Sequence, residues 1–246
     1  MKKTLVLLLI IALAATPVSA QMPMGGVTFQ PSAGSNIALI AAGGNSEDSS
    51  LGTIASQSID CTGANTIGVA VQGSSSVTAS VADSTGANTY TSAATDTSGG
   101  NLDAFYAKNI TTSSTLVVTA TFGSATAFRR IIVWCVSNAS TSAPLDTTAV
   151  RNSTTGVSPV TTANITPAAA GGIILVAGSN NDGTTCTFTA NNSFTLNFGT
   201  NGVLNGVTTH DTNGMYILGA TGSTAVSMSM SAMGGNSRMV AMAFKK

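Results

Sequence analysis

The sequence predicts an all-β protein, an antiparallel β-sandwich of jelly-roll or lectin-like architecture. Three observations carry this expectation. Apolar and polar residues alternate with a period of two in several short windows, turn residues recur between those windows, and no window has a 3.6-residue period. The polar surface comes from Ser, Thr, Asn and Gly. β-Branched Thr suits a pleated sheet, while Ser and Asn compete with helical hydrogen bonds.

The chain opens with Lys2 and Lys3, the apolar run TLVLLLIIALAA and the small residues Val18-Ser19-Ala20, the pattern of a bacterial-type signal peptide. Residues 1–20 are expected to be removed, leaving a protein that is secreted or held at the cell surface. No cysteine follows the apolar run, which disfavours a lipid anchor. No later segment supplies the roughly 20 apolar residues of a membrane-spanning helix. Residues 21–246 are read as a single β-sandwich domain.

Within that domain, SVTASVAD places Val77, Ala79 and Val81 on one face, and TLVVTATF does the same for Leu116, Val118, Ala120 and Phe122. These read as half-buried strands. RIIVWCV (Arg130 to Val136), GIILVAG (Gly172 to Gly178) and MVAMAF (Met239 to Phe244) are apolar on both faces, as strands covered from two sides are. Turn signals stand at Gly43, Thr62, Thr85, Ser98, Asn180, Thr200, Thr212 and Gly234. TGANT occurs at Thr62 and Thr85 without matching flanks, which indicates one turn chemistry used twice rather than a repeat. Ser137 to Pro167 lacks sustained alternation and is expected to be a long crossover loop with one short strand.

Charged residues are only 7% of the chain and the formal net charge is +0; loss of Lys2 and Lys3 leaves seven basic against nine acidic groups. No basic patch is available to displace counterions from a phosphate backbone, which excludes nucleic acid as a partner class.

Candidate sites are few. DSTGANTYT, Asp83 to Thr91, is rich in oxygen ligands, but an EF-hand loop needs a bidentate Glu at its twelfth position and no acid stands there. With Gly86 and Asn88 able to adopt φ > 0, the stretch reads as a hairpin turn. Asp182 and Asp211 are the other acids that distant loops could bring to Asp83. His210 beside Asp211 lacks a serine in a nucleophile-elbow context, and Glu47 is the only glutamate, so neither a hydrolase triad nor a glycosidase pair is indicated.

Met228, Met230 and Met233, with Met22 and Met24, form a thioether set of the kind that binds Cu(I). Met228 and Met230 lie two apart on a strand face with Val226, and core packing is the expectation. Trp134 belongs to the core by its apolar context, leaving Tyr90, Tyr106 and Tyr216 as amphipathic aromatics for glycan contact. Sequons at Asn109, Asn138, Asn152, Asn164 and Asn191 are what a chain this rich in Asn, Ser and Thr contains by chance.

Three cysteines allow one internal pair, and their spacing does not say which. Cys135 lies in an apolar run and is expected to be a buried free thiol. A bridge is then expected between Cys61 and Cys186.

Taken in order, DSTGANTYT (83–91), AFYAKNI (104–110), STLVVTATFGSATAFRRIIVWCVS (114–137), APLDTTA (143–149) and TTANITPAAAGGIILVAGS (161–179) resemble a recurrent β-sandwich module of secreted and surface proteins of environmental bacteria. That family shows a D-x-x-G-N-x-Y hairpin, a Y-A-x-N-I segment, a V-T-V-T-F strand, an E-Y-S-G strand end and a P-L-D loop. Val133-Trp134-Cys135-Val136 stands where the family has Glu-Tyr-Ser-Gly. The resemblance implies a non-catalytic extracellular sandwich used for adhesion, glycan contact or assembly, with surface glycans or other copies of itself as partners. The alternative is a carbohydrate-binding module with a calcium-stabilised loop. No cofactor and no enzyme activity are expected.

Overall fold

The computed structural model describes residues 27–28, 36–74, 79–96, 101–155, 158–168, 171–181, 186–202, 211–231 and 236–246. Every regular element among them is a strand. β1 (Val27–Thr28) precedes a set of eight: β2 (Ala38–Glu47), β3 (Leu51–Ala55), β4 (Thr66–Gly73), β5 (Ala79–Asp83), β6 (Thr91–Asp96), β7 (Asn101–Lys108), β8 (Val118–Thr126) and β9 (Arg129–Ser137). A second set of eight follows: β10 (Leu145–Thr155), β11 (Val160–Thr161), β12 (Gly172–Asn181), β13 (Phe188–Ala190), β14 (Thr195–Leu196), β15 (Thr212–Ala220), β16 (Ser227–Met230) and β17 (Asn236–Phe244).

The strands form two inner sheets, β1-β2-β9-β4-β7-β6 and β10-β17-β12-β15-β14, and two outer sheets, β3-β8-β5 and β11-β16-β13. Numbered within their own sets, both inner sheets run 1-8-3-6-5 and both outer sheets 2-7-4. The molecule is one jelly-roll unit built twice, with the fifth strand of each unit joined to the inner sheet. Register makes the equivalence residue-specific. Arg130 faces Gln72 across β9 and β4 as Arg238 faces Ser179 across β17 and β12, and Tyr106 faces Thr91 as Tyr216 faces Thr195. The bridges Ile59–Leu116 and Ile165–Thr224 close the same corner of each unit. The twin TGANT stretches both lie in the first unit and are unrelated to this duplication.

Four layers enclose three apolar cores. The first core, with Ile67, Val69, Val118, Phe122, Ile131 and Val133, lies between the first outer and first inner sheets. The second, with Leu102, Ile132, Trp134, Leu175, Met242 and Phe244, lies between the two inner sheets and joins the units. The third, with Ile174, Val176, Phe188, Val226, Met228 and Met239, lies between the second inner and second outer sheets. β9 is buried at all nine positions because the chain covers both of its faces, as its unbroken apolar run requires.

Glycine sets the closeness of the seam between the units. A Cβ on Gly68 would lie 2.8 Å from Leu175 Cδ1, and one on Gly214 2.9 Å from Trp134 Cζ2. Gly43, expected in a turn, lies within β2, where a Cβ would lie 2.6 Å from Ile59 Cγ1. Thr212, with Asn213 and Gly214, likewise sits in a strand rather than a turn, whereas the turns expected at Ser98, after Asn180 and at Gly234 fall on residues outside the described ones. At Gly43 and Gly214 small size, not turn chemistry, explains the glycine.

Three further expectations are corrected. Asp83 to Thr91 is no hairpin: β5 belongs to the first outer sheet and β6 to the first inner sheet, so the loop carries the chain between layers. The segment expected to be a crossover loop holds β10, the longest strand at 11 residues. As a sheet edge, β10 needs no regular alternation of large apolar side chains, and its threonines suit the pleat.

The third concerns cysteine. The bridge joins Cys61 to Cys135, with Cα atoms 5.4 Å apart, and Cys186 is the buried free thiol. Cys135 does lie in a central strand, but its side chain enters the first core where Cys61 is packed, whereas Cys186 belongs to the third core beyond both inner sheets.

Candidate functional site

The Asp83 loop is the densest constellation that the sequence singled out. Asp83 Oδ1 accepts the Thr85 N–H at 3.0 Å and the Thr85 hydroxyl at 2.5 Å, while Oδ2 accepts Asn88 Nδ2 and the Tyr90 hydroxyl, both at 2.8 Å. Asn88 also donates to the Thr111 carbonyl and accepts the Thr111 N–H, tying the loop to the segment after β7. Gly86 supplies the positive φ, at 65°, that closes the turn. Tyr90 packs its ring against the first core.

Burial raises the Asp83 pKa, and the hydrogen bonds from Thr85, Asn88 and Tyr90 outweigh it, leaving the carboxyl below its ordinary range. Burial, followed by the bond to Asp83, drives the Tyr90 phenol well above its usual value. Both carboxylate oxygens therefore face donors of their own loop, an arrangement that organises the backbone of the turn. In the second unit Phe194, which precedes Thr195 as Tyr90 precedes Thr91, occupies the third core without any such carboxylate.

The other candidates do not converge on Asp83. Asp182, His210, Met233, Met22, Met24 and the leader 1–20 lie outside the described residues. Met228 and Met230 point together into the third core, as their spacing predicts, and Trp134 is fully buried in the second. Tyr106 meets Phe244 edge-on with ring centres 6.1 Å apart, and Tyr216 also packs on the second core, so the three tyrosines form no common platform. Asn109 and Asn138 bond across to the carbonyls of Thr141 and Asn36, Asn164 bonds to Ser223 and Asn191 to Ser229, and Asn152 lies in β10. Among the described residues no group of three or more His, Cys, Asp or Glu could hold a metal ion. No helix among them is long and apolar enough to cross a membrane.

A second constellation went unrecognised in the sequence. At one end of the seam the apolar layers give way to buried polar ones. Arg238 and Asp96 form an ion pair at 3.3 Å across the two units, and the Thr212 hydroxyl donates to Gln72 Oε1 across the same seam. Deeper in, Trp134 Nε1 donates to Asn197 Oδ1 at 2.8 Å.

Arg130, the first-unit equivalent of Arg238, donates to Asp48 Oδ1 at 2.8 Å and to the Glu47 and Arg129 carbonyls. Burial lowers its pKa, against the hydrogen bond to Asp48 and the charges of Asp48, Asp211 and Glu47. Burial raises the pKa of Asp211, opposed by the Cys186 N–H and the Arg130 charge. Gln72 Nε2, Ser179 Oγ, Asn197 Nδ2 and Asp211 Oδ1 have no hydrogen-bond partner among the described residues. Such a layer fixes orientation between packed units, because a shifted docking would leave more of these groups unpaired. Its residues alternate in sequence like surface residues, so only the packing of β17 over β6 and β7 could reveal them. Comparison with family models, curated proteins and solved structures finds no match to this chain.

Proposed function

We propose that this protein is a non-catalytic secreted or cell-surface β-sandwich protein with an adhesive or structural role. The observation that carries this reading is the Asp83 loop. The acid, amide and phenol that look most like a binding set in the sequence are engaged with one another and hold the layers of a jelly roll together. The Cys61–Cys135 bridge supports it from a second side, since such a bridge persists in oxidising compartments outside the cytosol. Among the described residues six charged ones are buried, Asp96, Asp103, Arg129, Arg130, Asp211 and Arg238, and in a chain with only 7% charged residues this suits a contact or packing role over acid–base chemistry.

The test is fractionation of producing cells followed by a glycan array with and without a calcium chelator. The expected result is protein in the surface or culture fraction with no saturable glycan signal that chelation removes. Chelator-sensitive, saturable binding to one glycan class would replace this reading with a carbohydrate-binding module. Protein retained in the cytoplasm would remove it.

A further inference from the structure

The duplication leaves one edge unmatched. In the first unit the outer edge of β2 carries β1, with Val27 opposite Ala42 and Thr28 opposite Ala41. The equivalent strand of the second unit, β10, pairs with β17 on one side and is terminal in its sheet on the other, with no other strand paired to it among the described residues. The receiving positions recur in register. Ala42 faces Trp134 as Thr148 faces Met242, and Ala41 faces Cys135 as Thr147 faces Ala243.

The β10 edge is the larger of the two in what it can offer. β1 makes two residue pairs on β2, whereas β10 is 11 residues long and runs without a bulge from Thr147 to Arg151. β10 contains no Lys and no Pro, and its charged residues Asp146 and Arg151 and its two register irregularities lie at the ends of the stretch Thr147 to Val150, which is free of all the devices that commonly blunt exposed edges. The donor is strand-like in sequence, since Val27-Thr28-Phe29-Gln30 alternates apolar and polar residues.

We propose that the outer edge of β10 receives the N-terminal strand of a second copy of this chain, with Val27 opposite Thr148, so that copies join head to tail. Each copy carries one donor strand and one such edge, so the contact is heterologous and extends as an open chain. Joining vacates the β2 edge of the donor, and the two residue pairs given up there are replaced on β10. The proposal rests on the structural-subunit reading above and specifies how the subunits connect.

The experiment uses the chain from Gln21 with its native disulfide, in two preparations with different affinity tags, one bearing V27C and the other T148C, mixed and mildly oxidised. Cross-linked species carrying both tags are expected, and they should be lost when S114C, at an exposed site off the edge, replaces T148C. Sedimentation of the unsubstituted chain is expected to show oligomers that grow with concentration and disappear on deletion of residues 21–28.

Links between two T148C chains would overturn the proposal in favour of pairing between two β10 edges. A V27C–T148C link within one doubly substituted chain, or an unsubstituted chain that stays monomeric at every concentration, would overturn it outright. A monomer that is still exported and still adheres removes only the strand exchange, whereas a cytoplasmic protein removes the underlying reading.

Discussion

Replacing Asp83 by Ala tests whether the loop is an internal fastening or a vacant binding site. The substitution removes four accepted hydrogen bonds and strands the Tyr90 hydroxyl at the margin of the first core. A hydrogen bond to a charged group contributes about 1.5–3 kcal/mol when fully buried. Asp83 is half-buried and Asn88 and Thr85 reach water, so solvent recovers much of this, and a net loss of about 2 kcal/mol is expected. Y90F removes one donor and should cost about 1 kcal/mol, with a coupling of similar size between the two sites in the double variant.

The assay is urea unfolding followed by far-ultraviolet circular dichroism, where the midpoint should fall while the slope stays constant. Excess calcium should leave the wild-type midpoint unchanged. A midpoint that calcium raises in the wild type but not in D83A would refute the fastening argument and make the loop a metal site.

Four further outcomes are expected. The Asp83 contribution is present above the unfolded-state carboxyl value of about 3.9 and is lost as pH falls through the lower folded value, so acid should narrow the gap between wild type and D83N; a gap that widens in acid would contradict the sign of the shift. Mass mapping of the non-reduced protein should yield a Cys61–Cys135 peptide, with Cys186 alkylated only after denaturation, and reduction of this 74-residue loop should cost about 4 kcal/mol in the chain-entropy treatment. D96A should destabilise by about 3 kcal/mol by removing a buried carboxylate that offsets the charge of the buried Arg238, and D96A/R238M should recover most of the loss in thermal unfolding. G68A should cost about 1–3 kcal/mol by pressing on Leu175, and because its Cβ would come 3.5 Å from Trp134 Cε3, the fluorescence of the single tryptophan should shift with it.

Period-two alternation and the three doubly apolar runs made the fold class legible, and β9, β12 and β17 lie inside their sheets as those runs imply. The duplication was hidden because the units divide core volume differently. Trp134 stands beside Gly68 where the second unit sets Met242 beside Leu175, and Tyr90 corresponds to Phe194. A core accepts such exchanges when total volume is kept, and they erase sequence similarity while the strand order persists. Alternation told that Cys135 points inward but not into which of two cores, and so the cysteine pairing was missed. The polar seam was illegible for a related reason, since Gln72, Ser179 and Thr212 acquire their burial only when the second inner sheet closes over the first.

In each unit the first and last strands are neighbours, β2 beside β9 and β10 beside β17. During synthesis the first jelly roll can therefore close once Ser137 has emerged, while the second lacks the strand that lies between β10 and β12 until β17 has been made. For the whole of that interval Leu102, Ile132 and Trp134 form a finished but uncovered apolar wall. The nascent chain is then most open to aggregation not as a random coil but as a completed half, and a chaperone that acts on it would recognise folded sheet rather than extended peptide.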